Sequence, residues 1–399
     1  MRFAYILAAT ILLISCNSNK KQDTKETTGM TEEMAMPPVQ TIDPDSVLFS
    51  FVFMGCNRVD LKDTANPNTN ASTANIPELQ RTFNEIAALN PKPVFYFFLG
   101  DQVLGLDKDT AVLTAQLRAW SRQYQDPSFS ALPGAGIQMI AIPGNHEMLY
   151  ETETKKGKKE EVPAKHGLAA WMNAMAAYMP AGVTINRVTG KDSLDNLMTY
   201  SFTWGNTHFI LLNTDTYDKS GKIGMAPAAW IVADIKAARK DTAVKHIFLM
   251  GHKPALVTEP LYTPDGDKTM DVSVVQALWP EMNKHQVEAM LSAHSHQYDR
   301  IQPISGGPYQ VIAGNGGSPY EHKAEKDTSR QFFGYTIVYV MKNGQVRLQS
   351  MGRSVGHKKY LETLPPGLCT TIRDTANITW GTTDSLWIPG LSLKPAACR

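Results

Sequence analysis

Short apolar runs alternate with amphipathic stretches from about residue 45 onward. Seven apolar runs have the length and composition of strands, at residues 47–54, 94–99, 137–142, 208–212, 246–250, 287–291 and 309–313. The 3.6-residue period of apolar positions predicts helices over 77–89, 111–124 and 227–240, the second capped by Asp109 or Thr110. Strand, helix and strand at this spacing indicate a layered α/β domain whose sheet is largely buried.

Two further segments have patterns that differ from this alternation. Residues 335–341 and 346–349 are joined by Lys342-Asn343-Gly344, which predicts a β-hairpin. Residues 151–165 form a strongly charged run inside the domain, and we interpret it as a solvated loop in preference to a substrate-binding arm. Together with residues 60–76, this loop is expected to control access to a site.

The N-terminus has the pattern of a targeting segment. An apolar run over residues 3–14 is too short to span a bilayer of about 30 Å as a helix. It ends in Leu13-Ile14-Ser15-Cys16, which resembles the lipobox of bacterial lipoprotein signal peptides. We therefore expect a signal peptide over 1–15, a lipid anchor on Cys16 and a flexible tether over 16–45, although an ordinary secretory signal stays open. Either alternative predicts export, and the first predicts a membrane-anchored lipoprotein facing the periplasm or the cell surface.

The amino-acid composition gives no support to some classes of function. The 399 residues are 43% hydrophobic, with 39 Lys and Arg against 38 Asp and Glu, so the charge does not imply a nucleic-acid partner. Four cysteines cannot form a disulfide scaffold. Cys369 and Cys398 could pair in an oxidising compartment, and the sequence leaves that open.

We place the catalytic domain at 46–355 and a C-terminal extension at 356–399, and no protein partner is indicated.

Residue types that bind metals follow four of the predicted strands. The four segments are Gly100-Asp101-Gln102, Gly144-Asn145-His146-Glu147, Gly251-His252-Lys253-Pro254 and Ala293-His294-Ser295-His296. In α/β sheets, ligands bind beyond the carboxyl ends of the strands, so residues from distant parts of the chain can meet there. These segments therefore predict one shared metal site.

The types of donor atom restrict which metal ions can bind at this site. His294 and His296 are two residues apart, so both imidazoles can lie on one face of an extended segment. Asp101 has two oxygens and can bridge two cations, while Asn145 adds a neutral oxygen and His252 a further nitrogen. Mixed nitrogen and oxygen donors suit zinc, iron or manganese better than calcium. Two metals about 3.5–4 Å apart would activate a water for phosphoryl displacement.

The order of these motifs resembles the calcineurin-like metallophosphoesterases, and most closely their purple acid phosphatase branch. The resemblance implies a four-layer sandwich of two mixed β-sheets flanked by helices. It also implies hydrolysis of small phosphate esters with two divalent or trivalent metal ions (Fe, Zn or Mn). The residue roles it implies are Asp101 as the bridge, Asn145, His252 and His294 as ligands of the second metal, His296 as a ligand of the first, and His146 as a charged catalytic donor.

Two positions depart from that family pattern. Where the family opens with Asp-x-His, this chain has Cys56-Asn57-Arg58. A cysteine there resembles the alkaline phosphatase D type, so we predict Cys56 as a first-site ligand and Arg58 as a catalytic phosphate donor, with a buried apolar cysteine and a surface arginine as the alternatives. Leu104 stands where purple acid phosphatases have a tyrosine ligand, so the protein should not be purple. The altered first site also leaves open a catalytically inactive binding or scaffold lipoprotein.

Overall fold

The computed structural model describes residues 42–60, 70–188, 198–218, 220–257, 268–318, 330–354 and 370–384. The predictions for the signal peptide, for most of the tether, for Cys16 and for the Cys369–Cys398 pair lie outside the described residues. Among the helices of the described part, none is both long enough and apolar enough to cross a membrane.

Most of the strands belong to two mixed sheets. Within the described residues the strands are β1 Val47–Met54, β2 Phe95–Leu99, β3 Gln138–Ile142, β4 Leu149–Glu153, β5 Lys159–Pro163, β6 Asn186–Arg187, β7 Tyr200–Trp204, β8 Thr207–Leu212, β9 Thr216–Tyr217, β10 Ile223–Met225, β11 His246–Gly251, β12 Ala289–Ser292, β13 Tyr298–Ile301, β14 Tyr309–Ala313, β15 Phe332–Met341, β16 Val346–Ser354 and β17 Thr371–Asn377. The first sheet has the order β17-β16-β15-β1-β2-β3 and the second β13-β14-β12-β11-β8-β7-β6.

The helices of the described part lie between these strands in the chain. They are α1 Ile76–Ala87, α2 Thr110–Gln125, α3 Ala131–Gly134, α4 Asn145–Met148, α5 Gly167–Met175, α6 Ala228–Lys240 and α7 Val272–Lys284. Side-chain caps fix where the first two begin, because Asn75 accepts from the Glu78 N–H and Asp109 from the Ala111 N–H. The caps explain why the predicted helix starts agree closely with the observed ones.

The two sheets pack face to face through an aromatic core. Phe51 on β1 contacts Phe209 and Phe248 of the second sheet, with ring centroids 5.2 and 5.4 Å apart. On the outer face of the first sheet, α1 places Phe83 5.3 Å from Tyr96. A second apolar cluster joins the outer face of β8 and β11 to α6 and α7. The predicted four-layer sandwich is therefore confirmed.

The later part of the chain contains the predicted hairpin and one further strand that was not predicted. β15 and β16 form the predicted antiparallel hairpin. β17, inside the predicted C-terminal extension, pairs antiparallel with β16 and becomes an edge strand of the first sheet. Its Asp374 accepts two hydrogen bonds from the buried Arg300 of β13, at 2.6 and 3.0 Å. This ion pair links the edge of the first sheet to the edge of the second.

A buried cation holds α1 against the first sheet. Arg353 on β16 is fully buried and donates to the Glu78 carboxylate and, at 2.8 Å, to the Thr82 hydroxyl. Its other terminal nitrogen lies 2.7 Å from a Glu85 oxygen. Three groups of α1 thus depend on this one guanidinium.

The charged run at 151–165 is not a simple solvated loop, and that expectation was wrong. β4 and β5 pair antiparallel over most of it. The hairpin is attached to the domain by hydrogen bonds from Glu151 N to Leu106 O (3.2 Å) and from Ala164 N to Met148 O (2.9 Å). Exposed polar side chains hid these strands, because neither strand shows the alternation of a half-buried sheet.

Candidate metal centre

Five strands end at the same place in the molecule. β1, β2 and β3 are adjacent and parallel in the first sheet, and β11 and β12 are adjacent and parallel in the second. Their carboxyl ends therefore carry the predicted residues to one edge of the sandwich. The segments that follow these strands contain Cys56, Asp101, Asn145, His252, His294 and His296.

One group of donors combines a thiol, a carboxylate and an imidazole. Cys56, Asp101 and His296 are buried, and one potential ligand atom of each lies within 4.8 Å of those of the other two. This is the set predicted for the first metal. The structure brings Cys56 to this position, although its assignment as a ligand stays a prediction.

A second group lies beside the first and shares Asp101. Asn145 Oδ1 is 3.1 Å from His252 Nε2 and 3.2 Å from His294 Nδ1, and the two imidazole nitrogens are 3.2 Å apart. Donor atoms that each lie about 2.0–2.2 Å from one zinc ion in a tetrahedron are separated by roughly 3.3–3.6 Å. The observed separations are close to that spacing, and small outward movements of the side chains would open it for a cation.

The hydrogen bonding of His252 argues for a cation at this point. Its Nδ1 lies 2.7 Å from the carbonyl oxygen of Leu99, which can only accept, so Nδ1 carries the hydrogen. In the neutral ring, Nε2 then presents a lone pair to Asn145 Oδ1 and, at 3.2 Å, to Asp101 Oδ1. A lone pair facing two acceptors is unfavourable unless a positive charge lies between them or a neighbouring hydrogen points at it, and His294 Nδ1 at 3.2 Å is the nearby nitrogen that can carry one. A metal ion would satisfy all three atoms, so the residues fit the group that this donor set requires.

Three of the predicted ligands have strained backbone conformations. Cys56, Asp101 and His294 have φ values of 59°, 58° and 65°. Non-glycine residues rarely adopt this left-handed region, which costs of order 1–3 kcal/mol each. Backbone bonds hold two of these turns, from Cys56 N to Gly100 O and from Asn57 N to Asp101 O, both 3.0 Å long. Strain at three ligands of one site is typical of side chains aimed by function.

Glycines allow the loops to approach each other. A Cβ on Gly144 would lie 2.3 Å from Asp101 Oδ1 and 2.7 Å from Asp101 N. Only glycine therefore permits the segment after β3 to pack against the segment after β2.

Glu147 connects these loops and was missed by the sequence reasoning. Its two oxygens accept from three buried backbone N–H groups, those of Gly144 (2.7 Å), Asp101 (3.1 Å) and Val103 (3.1 Å). Burial, and then the charge of Asp101, raise the pKa of Glu147 to about 8. The signal was available, because a glutamate three residues after a helix N-cap is the pattern of a capping box.

The predicted catalytic side chains face the same carboxylate. Arg58 Nε lies 4.0 Å and His146 Nε2 3.9 Å from Asp101 Oδ2. Burial opposes ionisation of Asp101, but positive charge on His252, and then on His146 and Arg58, lowers the pKa of this carboxyl. When both imidazoles are neutral, Arg58 supplies that positive charge. The structure therefore favours an ionised Asp101.

The surroundings of His146 oppose a positive charge on its ring in the substrate-free protein. Its Nδ1 hydrogen-bonds to the carbonyl of Leu104, so Nδ1 holds the hydrogen and Nε2 is directed away from that carbonyl. Burial, and then the positive charge of Arg58, lower the pKa of His146 to about 3. A neutral ring is expected at pH 7 until an anionic substrate binds, so the role of a charged donor stays a prediction.

The centre opens into a cavity of about 930 Å³. The predicted residues Arg58, Asn145, His146 and His294 line it together with the β4–β5 hairpin. Lys268, a residue to which the sequence analysis assigned no role, lies on the same cavity. The hairpin therefore borders the cavity, and its control of access stays a prediction.

Comparison with known proteins supports the resemblance stated above. The model of the calcineurin-like phosphoesterase family matches residues 63–298, more than half of the chain. The chain belongs to this family of phosphoesterases. The assignments of individual ligands and catalytic residues are not tested by that match and stay predictions.

Curated relatives are distant and longer. The human acid phosphatase type 7 is 24% identical over 266 residues, which are 60% of this chain and 50% of that protein. An uncharacterised protein of Mycobacterium tuberculosis is 27% identical over 115 residues, 27% of this chain and 21% of its own length. The matches thus span half or less of these relatives.

Solved structures support the fold. A purple acid phosphatase from yellow lupin (Lupinus luteus) seeds gives a TM-score of 0.52 at 14% identity, over 78% of this chain and 52% of that one. The structure of PhoD gives 0.51 at 12% identity, over 84% and 72%. Both phosphatase types named by the sequence resemblance therefore share this architecture.

Proposed function

We propose that this protein hydrolyses phosphate esters with two metal ions bound at the edge of the sandwich. The observation that carries the proposal is the convergence of ligand atoms at His252. Its Nε2 lies 3.1 Å from Asn145 Oδ1 and 3.2 Å from Asp101 Oδ1, while its Nδ1 faces the Leu99 carbonyl. Membership of the phosphoesterase family supports the same chemistry.

Each metal would have its own set of donors. Cys56, Asp101 and His296 would hold the first, and Asp101, Asn145, His252 and His294 the second. When bound, the ions supply an activated water and neutralise charge on the phosphoryl oxygens. Their identity is open among iron, zinc and manganese, and a thiolate donor is compatible with iron or zinc.

The chain itself would bind and orient the ester. Arg58 reaches the cavity with its side chain 18% exposed and can donate to a phosphoryl oxygen from the side of Asp101. His146 is fixed by its bond to the Leu104 carbonyl, which leaves Nε2 directed away from that carbonyl and toward the centre. Negative charge on a bound phosphoryl group would favour a proton on that nitrogen.

The test measures metal content and turnover on one preparation. We expect about two metals per chain, and release of nitrophenol from nitrophenyl phosphate, bis-nitrophenyl phosphate or both. His146→Ala should lower kcat by about 10²–10⁴-fold with the metals retained. His166→Ala changes an exposed histidine outside the centre and serves as the matched control. Full metal occupancy with no turnover on either ester would refute the enzyme and favour a binding module.

We also propose that the protein is an exported lipoprotein anchored through Cys16, as the lipobox-like sequence suggests. In a bacterial host, metabolic labelling with a fatty acid should mark the wild type, and Cys16→Ala should remove the label. Equal labelling of both would refute the anchor.

A further inference from the structure

We propose that Glu161 of the β4–β5 hairpin is a positioning residue, which fixes the orientation of the Asn145 amide so that its oxygen faces the second metal. This inference rests on the metal centre of the proposed function. It gives the hairpin a direct part in assembling that centre.

The two ends of the Asn145 side chain have different partners. Nδ2 donates to Glu161 Oε1 at 2.8 Å, while Oδ1 lies toward His252 and His294. A primary amide has nearly the same shape in its two orientations, so its partners must select between them. Here the selection is made by an acceptor at one end of the group.

Without that acceptor, the reversed amide would be favoured in the metal-free protein. The His252 bond to Leu99 leaves a lone pair on Nε2, and an NH₂ group in the reversed Asn145 would donate to it. Such an amide would fill the metal position with hydrogens. With Glu161 present, reversal would place the amide oxygen against a carboxylate oxygen, which is repulsive. Glu161 therefore preserves a donor atom for the cation.

The surroundings hold Glu161 in place. Glu161 is on β5, which pairs with β4, and the hairpin is bonded to the segments that carry Asp101 and Asn145. Burial raises the pKa of Glu161, and the positive charge of Lys253 opposes that rise. Lys253 directly follows His252 and is fully buried 3.4 Å from Asp215. The hairpin, Asn145 and the segment after β11 thus form one polar network beside the second metal position.

The experiment compares metal affinity in three variants by competition with a zinc chelator. Glu161→Ala should weaken the binding of one of the two zinc ions by about 10–100-fold, the usual loss when a group behind a ligand is removed. Glu161→Gln keeps an oxygen that can accept from Asn145, and its affinity should lie within about threefold of the wild type. Glu153→Ala removes an exposed carboxylate of the partner strand β4 and should bind both ions normally.

Wild-type affinity in Glu161→Ala would overturn the proposal. So would an equal loss in Glu161→Gln, because the charge and not the acceptor would then matter. A wild-type chain that binds no zinc would refute the metal centre as well. Since the readout is zinc affinity, inactivity on phosphate esters refutes the proposed function alone.

A second pair of variants tests the orientation directly. In Asn145→Asp, one carboxylate oxygen faces Glu161 at the position of Nδ2 and is repelled. Adding Glu161→Gln supplies a donor there, so the double variant should bind zinc at least tenfold more tightly than Asn145→Asp alone. Equal or weaker binding would contradict the orientation role.

Discussion

Loss of the Glu147 carboxyl should destabilise the protein strongly, even without metal. In Glu147→Ala, three buried backbone N–H groups, those of Gly144, Asp101 and Val103, lose their acceptor. A buried donor left unsatisfied costs about 1–3 kcal/mol. Water that enters the vacated space would recover part of this, so we expect a loss of roughly 3–6 kcal/mol in the free energy of unfolding. Glu147→Gln keeps one acceptor oxygen and should lose about 1–3 kcal/mol.

Urea denaturation followed by tryptophan fluorescence, with a chelator present, measures this loss without a contribution from metal binding. Glu160→Ala is the control, because that carboxylate is exposed and should change the unfolding free energy by less than about 0.5 kcal/mol. A Glu147→Ala protein within about 1 kcal/mol of the wild type would refute the reasoning. It would mean that the three N–H groups find other acceptors.

Three further predictions concern packing, charge and ligation. Gly144→Ala should lower metal affinity at least tenfold, because its Cβ would lie 2.3 Å from Asp101 Oδ1. Gly134→Ala is the control, because a Cβ there meets open space and metal affinity should be normal. Arg353→Ala should lower the free energy of unfolding, measured by urea denaturation, by about 3–5 kcal/mol, because it leaves the buried Glu78 without its cation. Arg347→Ala on the same strand is the control and should lower it by less than about 1 kcal/mol. In the iron-loaded protein, Cys56→Ser should abolish a thiolate-to-iron absorption band, and an unchanged spectrum would contradict ligation by that sulfur.

The fold was predictable where local patterns and burial agree. β1 and β14 have the predicted bounds, because largely apolar runs, each interrupted by one polar residue, lie between clear breaks in the sequence. The β4–β5 hairpin was not predictable, because its strands cover little of the core and carry charge on exposed positions. Its pairing depends on attachment to the neighbouring loops.

The residues that form the centre could be predicted from the sequence. The contacts that hold those residues in place could not. Strand ends followed by Asp101, Asn145 and His252 identified residues that the sheet order brings together. The supporting carboxylates could not be identified in the same way, because Glu147 acts through backbone groups and Glu161 lies on the missed hairpin. Aspartate adopts the left-handed region more often than most residues, but the sequence does not show which aspartate will do so, because surrounding contacts impose it.

The position of β17 bears on how the protein matures during synthesis. This strand follows all others of the described residues in the chain, yet it covers the edge of β16 and neutralises Arg300. Until the ribosome has released it, the nascent domain has an open pairing edge at β16 and lacks the Asp374 carboxylate that accepts from Arg300. Translation that stops near residue 355 should therefore yield a species prone to intermolecular strand addition, with all predicted metal ligands already made.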